Sequence, residues 1–300
     1  AGGAFPSVTC VADLDRALEL VDAIIIATAA STHAELARRC LDAGVHVLVE
    51  KPLTTVPSDA RALIELADER DLVLMVGHTF EYNPAVHMVR ELIVSGELGE
   101  IRYIDTARLN LGLYQSDVNV LWDLAPHDIS IVNYLLGSTP THVSAWARSH
   151  APYEVEDVAY LQLEYGGAPT VAYVHVSWLD PRKVRRVTVV GSEKMAVYND
   201  VDPNEPIRIY DTGIDESQSL QPDRPIGYRV GDIRSPRVAG PEPLMAEDEH
   251  FIDCVLTGKR PISDGQSGLA VVSALAAAAE SAASAGIRVP VGSSLVETAG

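Results

Sequence analysis

"VDAIIIATAASTHAELARRCLDAGVHVLVEKP", residues 21–52, joins an isoleucine run to an amphipathic stretch, then to a second apolar run that ends in two opposite charges and a proline. Residues 23–27 read as a strand buried on both faces. The stretch from Ser31 starts on a Ser or Thr N-cap, keeps helical apolar spacing and stops at Gly44. Residues 45–51 read as a second buried strand, 58–71 as a helix capped by Ser58, and 72–78 as a third strand, while 11–20 has helical spacing ahead of the first. This alternation predicts βαβ units and a doubly wound parallel sheet with right-handed crossovers. Ligands of such sheets sit at the carboxyl ends of the strands, which makes 27–33, 50–52 and 77–84 the candidate site segments. Glu50 and Lys51 end a buried strand, where charge costs desolvation unless it is paired or faces a cleft.

After a helix over 85–100, closing at Gly96 or Gly99, the pattern changes. Residues 101–111, 142–149, 158–165, 170–179, 185–191 and 194–200 read as strands of a mostly antiparallel sheet, interrupted by a helix at 120–137. Residues 200–241, rich in Pro, Asp and Gly, read as a long irregular loop, either a lid or a surface excursion. Helices at 244–258 and 268–286 finish the chain. The fold class is therefore α/β: a partial, parallel, doubly wound domain over 1–98, then an α+β domain with a large, mostly antiparallel sheet over 99–300. Apolar residues on both faces of 158–165 and 170–179 point to a homo-oligomer, dimer or tetramer, built through that sheet.

Acidic residues outnumber basic ones 42 to 23, a formal charge of −19 that repels nucleic acid and anionic lipid. The three cysteines have no metal-ligand spacing, so no metal is expected. No apolar run reaches the length of a membrane span and no signal-peptide pattern opens the chain, which points to a cytoplasmic protein.

Asp123 and His127 are four residues apart, on one face of the 120–137 helix. A carboxylate holding an imidazole suits a general base, and the same spacing suits a cap or a partly packed histidine. Pro126 places the start of the regular helix near itself, with Asp123 in the lead-in turn. Only 4 of the 23 basic residues are lysines, so Lys51 at a strand's carboxyl end is not explained by general usage. Its ammonium can hydrogen-bond or protonate an oxygen in the cleft.

Four ordered segments, "IIIATAASTHAELARRCLDAGVHVLVEKPL", "VGHTFEYNPAVHMVRELIVSGELGEIRYI", "DVNVLWDLAPHDISIVNYLLG" and "AEDEHFIDCVLTGKRPISDG", resemble the oxidoreductase family of glucose–fructose oxidoreductase, inositol dehydrogenase and rhizopine catabolism, Gfo/Idh/MocA. The resemblance implies a Rossmann domain holding NAD or NADP and a sheet domain holding a sugar, nucleotide sugar or cyclitol. It implies Lys51 beside the nicotinamide, polarising the reacting oxygen, and His127 exchanging the hydroxyl proton with Asp123 assisting. By the same resemblance Thr28, Ala29, His33, Glu50, Pro52 and His78 border the cofactor, Asn83 borders the substrate, and Arg108, Asn110, Asn119 and His175 are candidate substrate contacts. For Arg108, Asn110 and Asn119 the alternative is strand-surface polarity; His175 and Trp178 either line the pocket or pack beneath it. Glu81 stands where many relatives carry a basic or apolar residue.

The dinucleotide fingerprint GxGxxG is absent from the 300 residues, as is the ribose-binding acid that follows it. Against the family pattern the chain reads as N-terminally truncated, and the 300 residues alone are expected to bind cofactor poorly. Two further readings stay open: a non-catalytic binding or regulatory relative, and a redox-neutral enzyme that uses NAD transiently to cleave glycosides.

Overall fold

Parallel β2 (His46–Glu50) lies between β1 (Ala23–Ile26) and β3 (Leu74–Gly77), with Val47, Leu48 and Val49 buried. In this computed structural model the described residues are 8–115, 118–152, 154–166, 170–215 and 227–292. Two helices, α2 (His33–Asp42) and α3 (Pro57–Glu69), supply the crossovers and pack Ala37, Cys40, Leu41, Ala60 and Leu63 on one sheet face. Gly44, at φ +81°, follows α2 in the left-handed conformation that favours glycine. The cap of α3 differs from expectation: Val56 holds that position and Pro57 opens the helix, where its missing N–H costs nothing. The helix expected over 11–20 is a five-residue α1 (Leu14–Leu18) capped by Asp13.

β1 also departs from expectation. Among the described residues it is an edge strand, and Ile26 is buried while Ile25 is 50% exposed. The apolar pattern reported a strand correctly.

After α4 (Pro84–Val94) the chain enters a nine-stranded sheet. Its strands are β4 (Ile101–Leu111), β5 (Pro140–Arg148), β6 (Val158–Tyr165), β7 (Val171–Ser177), β8 (Leu179–Gly191), β9 (Met195–Asn199), β10 (Ile207–Asp215), β11 (Gly227–Arg234) and β12 (Val289–Pro290). They lie in the order β11-β10-β9-β8-β4-β7-β6-β5-β12, antiparallel except for the β4–β7 pair. The region expected to be an irregular loop thus contains the β10–β11 ribbon; residues 216–226 of that region lie outside the described residues.

One sheet face carries the core: Ile104, Val143, Leu161, Ala172, Val174 and Val189 pack with Ile129 and Val132 of α5 (Val120–Leu136) and with Leu275 of α7 (Gly265–Ala283). The C-terminal helices also reach the parallel sheet. Phe251 of α6 (Pro243–Thr257) packs with Leu48 and Met75, and Val272 of α7 joins the α2–α3 cluster.

Helix α5 begins at Val120, earlier than its proline suggests, because the Asn119 side chain accepts the Trp122 N–H and caps it. Pro126 therefore sits inside the helix and offers no N–H to the Trp122 carbonyl.

Candidate active site

Lys51 leaves the end of β2 on a cis Lys51–Pro52 bond and crosses to the first turn of α5. Its Nζ donates to the Asp123 backbone oxygen at 2.7 Å and to Asp123 Oδ1 at 3.1 Å. An ammonium thus serves the helix turn next to the bond that Pro126 removes. His127 lies one turn further along α5, and its half-buried imidazole stands edge-on to Phe80 at 5.4 Å between ring centroids. Burial, then the positive charges of Lys51 and Arg108, hold its pKa well below 6.5. His127 Nδ1 is buried without a partner.

His78, at the end of β3, completes the cluster. Burial and the nearby Lys51 charge lower its pKa to about 3, and neither of its ring nitrogens has a partner. Lys51, His78 and His127 are therefore brought together as one ammonium and two neutral imidazoles.

The expected Asp123–His127 pairing is not what the structure holds. Asp123 gives Oδ1 to Lys51 and Oδ2 to the Trp178 indole N–H at 3.0 Å. Trp178, between β7 and β8, is a partner that sequence reasoning left undecided; the signal for it was a tryptophan at a strand-to-strand junction.

Other candidates sort by their surroundings. Thr28 and Ala29 are exposed on the loop after β1, and Thr28 Oγ1 lies 2.7 Å from Thr32 Oγ1. His33 is 1% exposed, and its ring nitrogens face the carbonyl oxygens of Pro52 at 2.8 Å and Thr28 at 3.1 Å. It ties the Thr28 loop to the Lys51–Pro52 turn, a bracing position in place of the expected direct contact. Glu50 is half-buried, and its Oε2 accepts the Lys51 N–H at 3.3 Å.

Asn83 caps α4 and donates to the Tyr198 hydroxyl at 3.0 Å, and Asn119 caps α5 and donates to Glu156 at 3.0 Å. Both amides are occupied by the protein itself. Arg108 is buried, donates to Asp128 at 2.6 Å and lies 4.5 Å over the Phe80 ring, beneath the cluster rather than in open contact with the cleft. Asn110 Oδ1 is buried and unpartnered, so it retains an acceptor for a ligand.

His175 falls outside the site. Its register partner is Ala107, on the sheet face opposite Arg108, and it stacks on Tyr160 at 4.0 Å. The two-residue alternation of β7 puts Ala172, Val174 and Val176 inward and sends His175 out.

Behind β3, Glu81 and Glu247 are both buried, and desolvation pushes each pKa up to about 8. Glu247 Oε2 accepts from Thr79 at 2.8 Å while Oε1 has no partner.

The nicotinamide end of a dinucleotide fits these residues: the orphaned nitrogens of buried His78 await hydrogen-bonding groups, beside an ammonium at a strand end. The phosphate end has no matching GxGxxG in the 300 residues. Among the described residues no group of three or more His, Cys, Asp or Glu is arranged to hold a metal ion. No helix among them is long and apolar enough to cross a membrane.

A parallel α/β half that passes a lysine from a strand end to a helix beside an open sheet is the architecture of a two-part, dinucleotide-dependent oxidoreductase. Residues 4–78 match the family model described as oxidoreductase family, NAD-binding Rossmann fold, and residues 86–197 match the GFO/IDH/MocA C-terminal domain. The chain belongs to the Gfo/Idh/MocA family.

It is 31% identical over 273 residues to the UDP-N-acetylglucosamine 3-dehydrogenase of Acidithiobacillus ferrooxidans, covering 90% of this chain and 80% of that protein. The solved structure of UDP-N-acetylglucosamine 3-dehydrogenase from that organism superposes with a TM-score of 0.75 at 27% identity, covering 93% of this chain and 84% of the other. GenD2 from gentamicin A biosynthesis, solved in complex with NAD, superposes with a TM-score of 0.78 at 25% identity, covering 96% and 84%.

Proposed function

We propose that the protein is a nicotinamide-dependent dehydrogenase acting on a CH–OH group of a sugar, nucleotide sugar or cyclitol, with its two halves dividing near residue 98. The observation that supports this most is the convergence of Lys51, from β2, with His127, from α5. The likeness to a UDP-N-acetylglucosamine dehydrogenase supports the substrate range.

Thr28, Ala29, Glu50, Lys51, Pro52 and His78 would hold NAD or NADP, braced by His33. A nicotinamide held there would supply the hydride acceptor or donor for the substrate carbon. Lys51 engages Asp123 twice and retains a third ammonium proton for the substrate oxygen. His127, held neutral, takes the hydroxyl proton in the oxidation direction and returns it in reduction. As negative charge grows on the oxygen, the Lys51 ammonium offsets it in a half-desolvated setting. Asn110 Oδ1 supplies an acceptor for a further substrate hydroxyl.

The outward sheet face presents Tyr103, Trp146, Tyr160 and Tyr173, each at least 40% exposed, and would be covered by a second copy. Light scattering on Tyr160→Glu tests this, since a lost oligomer supports it and an unchanged mass removes it.

The function is tested in the protein expressed from its whole gene, by following NADH or NADPH formation across nucleotide sugars and inositols. Reduction of the cofactor by one of these supports the reading. A converted substrate with no net reduced cofactor would favour the redox-neutral alternative, and no conversion of any would sink both.

A further inference from the structure

We propose that Trp178 is a positioning residue: its indole N–H clamps the Asp123 carboxylate in the one orientation that holds the Lys51 ammonium at the cleft. The inference rests on the proposed role of Lys51.

The carboxylate is gripped from two sides. Trp178 Nε1 donates to Oδ2 at 3.0 Å, and Lys51 Nζ donates to Oδ1 at 3.1 Å and to the Asp123 carbonyl at 2.7 Å. Trp178 is 1% exposed, so its N–H has no water to turn to, and an indole buried without an acceptor is costly. With Oδ1 turned to Lys51 and Oδ2 to the indole, the carboxylate leaves His127 Nδ1, one turn along the helix, without a partner. Without the indole, the carboxylate is free to rotate toward that imidazole and to loosen its hold on Lys51.

Trp178 is itself immobilised by main chain and packing. Its N–H donates to the Asp157 carbonyl at 2.9 Å, and its carbonyl accepts from Gly112 at 2.8 Å. A Cβ on Gly112 would come within 2.8 Å of Trp178 Cδ1, so glycine is what lets that loop close over the ring. Tyr114 packs against the indole at 5.3 Å and donates its hydroxyl to Asp157 Oδ2 at 3.0 Å. Asp157, fully buried, also accepts the backbone N–H groups of His150 and Ala151 at 2.9 and 2.8 Å. The sheet domain thereby fixes the setting of a lysine that belongs to the parallel domain, through Asp157, Trp178 and Asp123 in turn.

The test reads Lys51 directly and needs no cofactor. The chain has four lysines, so acylation by acetic anhydride, followed by peptide mass spectrometry, compares Lys51 with the exposed Lys183 in one sample. Trp178→Phe keeps the packing and deletes the N–H. It should speed Lys51 acylation relative to Lys183 by about threefold or more, a fraction of the roughly tenfold or greater effect of losing a hydrogen bond to a charged group outright. Asp123→Ala should speed it at least as much, and adding Trp178→Phe to Asp123→Ala should change nothing further.

Unaltered Lys51 labelling in Trp178→Phe, or an additive double variant, overturns the clamp and leaves Trp178 as packing. A second measurement keeps Trp178 intact: among the three tryptophan indole signals, that of Trp178 should exchange slowly with solvent and become faster in Asp123→Ala. Unchanged exchange there also overturns the proposal. Absence of any dehydrogenase activity would sink the proposed function alone, because neither readout depends on turnover.

Discussion

Arg108 Nε and Asp128 Oδ2 meet at 2.6 Å in the packed layer beneath the cleft, with side chains 7% and 2% exposed. Asp128 is the residue after His127, so this ion pair is the floor of the proton-handling cluster. Burial raises the Asp128 pKa, and the guanidinium opposes that by favouring the charged form. Removing Arg108 alone leaves a carboxylate buried without its cation. Arg108→Met is expected to cost about 3–5 kcal/mol in urea unfolding. Arg108→Met combined with Asp128→Leu should recover most of that loss, since an apolar pair has no charge to desolvate. A single change costing under about 1 kcal/mol would show that water reaches the pair.

The Lys51 ammonium is the sole cation the protein places directly on the first turn of α5 among the described residues. Lys51→Met retains the length of the side chain and removes the charge. Turnover should fall by about two orders of magnitude or more, the scale of losing one preorganised stabiliser of a developing oxyanion. Cofactor affinity, measured by calorimetry, should change little. Unchanged turnover would remove Lys51 from the mechanism.

The proton affinity of His127 is lowered by burial first, and then by the charges of Lys51 and Arg108. A lowered pKa means that the neutral, proton-accepting ring persists as pH falls past its ordinary 6.5. The acid limb of kcat/KM for alcohol oxidation should therefore lie below about pH 6.5, measured with saturating cofactor. A limb near neutrality that disappears in His127→Asn would falsify the assignment of a charge-depressed imidazole at this position.

The parallel half was legible because apolar runs of four or five residues at β1, β2 and β3 alternate with capped amphipathic helices, and that alternation admits few topologies. The β10–β11 ribbon was not legible. Ile207 and Ile209 are buried, but Tyr228, Val230 and Ile233 are exposed at 76%, 84% and 61%, so the apolar residues of β11 mark no buried face, and the Pro, Asp and Gly around both strands read as loop.

In the site, Lys51 and His127 were visible as residue types at the right ends of their elements. The partner of Asp123 was not, because Trp178 is 55 residues away and the direction of a carboxylate is set by tertiary packing. His175 shows a related gap. Alternation along β7 separates it from Val174 and Val176, but which face meets the cleft is decided by helix α5, outside that strand.

Glu81 and Glu247 make stability fall as pH rises. In the unfolded chain each carboxyl titrates near its ordinary 4.5, whereas desolvation in the folded protein pushes both up to about 8. Between those values the folded state retains protons that the unfolded state has released, so increasing pH favours unfolding throughout the window. The contribution of the neutral pair is intact below about 4.5 and lost above about 8. Glu247→Gln keeps an oxygen for the Thr79 hydroxyl and cannot ionise. It should match the parent in urea unfolding at about pH 5 and exceed it at about pH 9 by about 2 kcal/mol, part of what a pKa displacement of this size implies. Glu81→Gln, which replaces the carboxyl beside Ser267, should behave in the same way. Parallel stability curves for parent and both variants across that range would mean that the two carboxyls are ionised in the fold and reached by water.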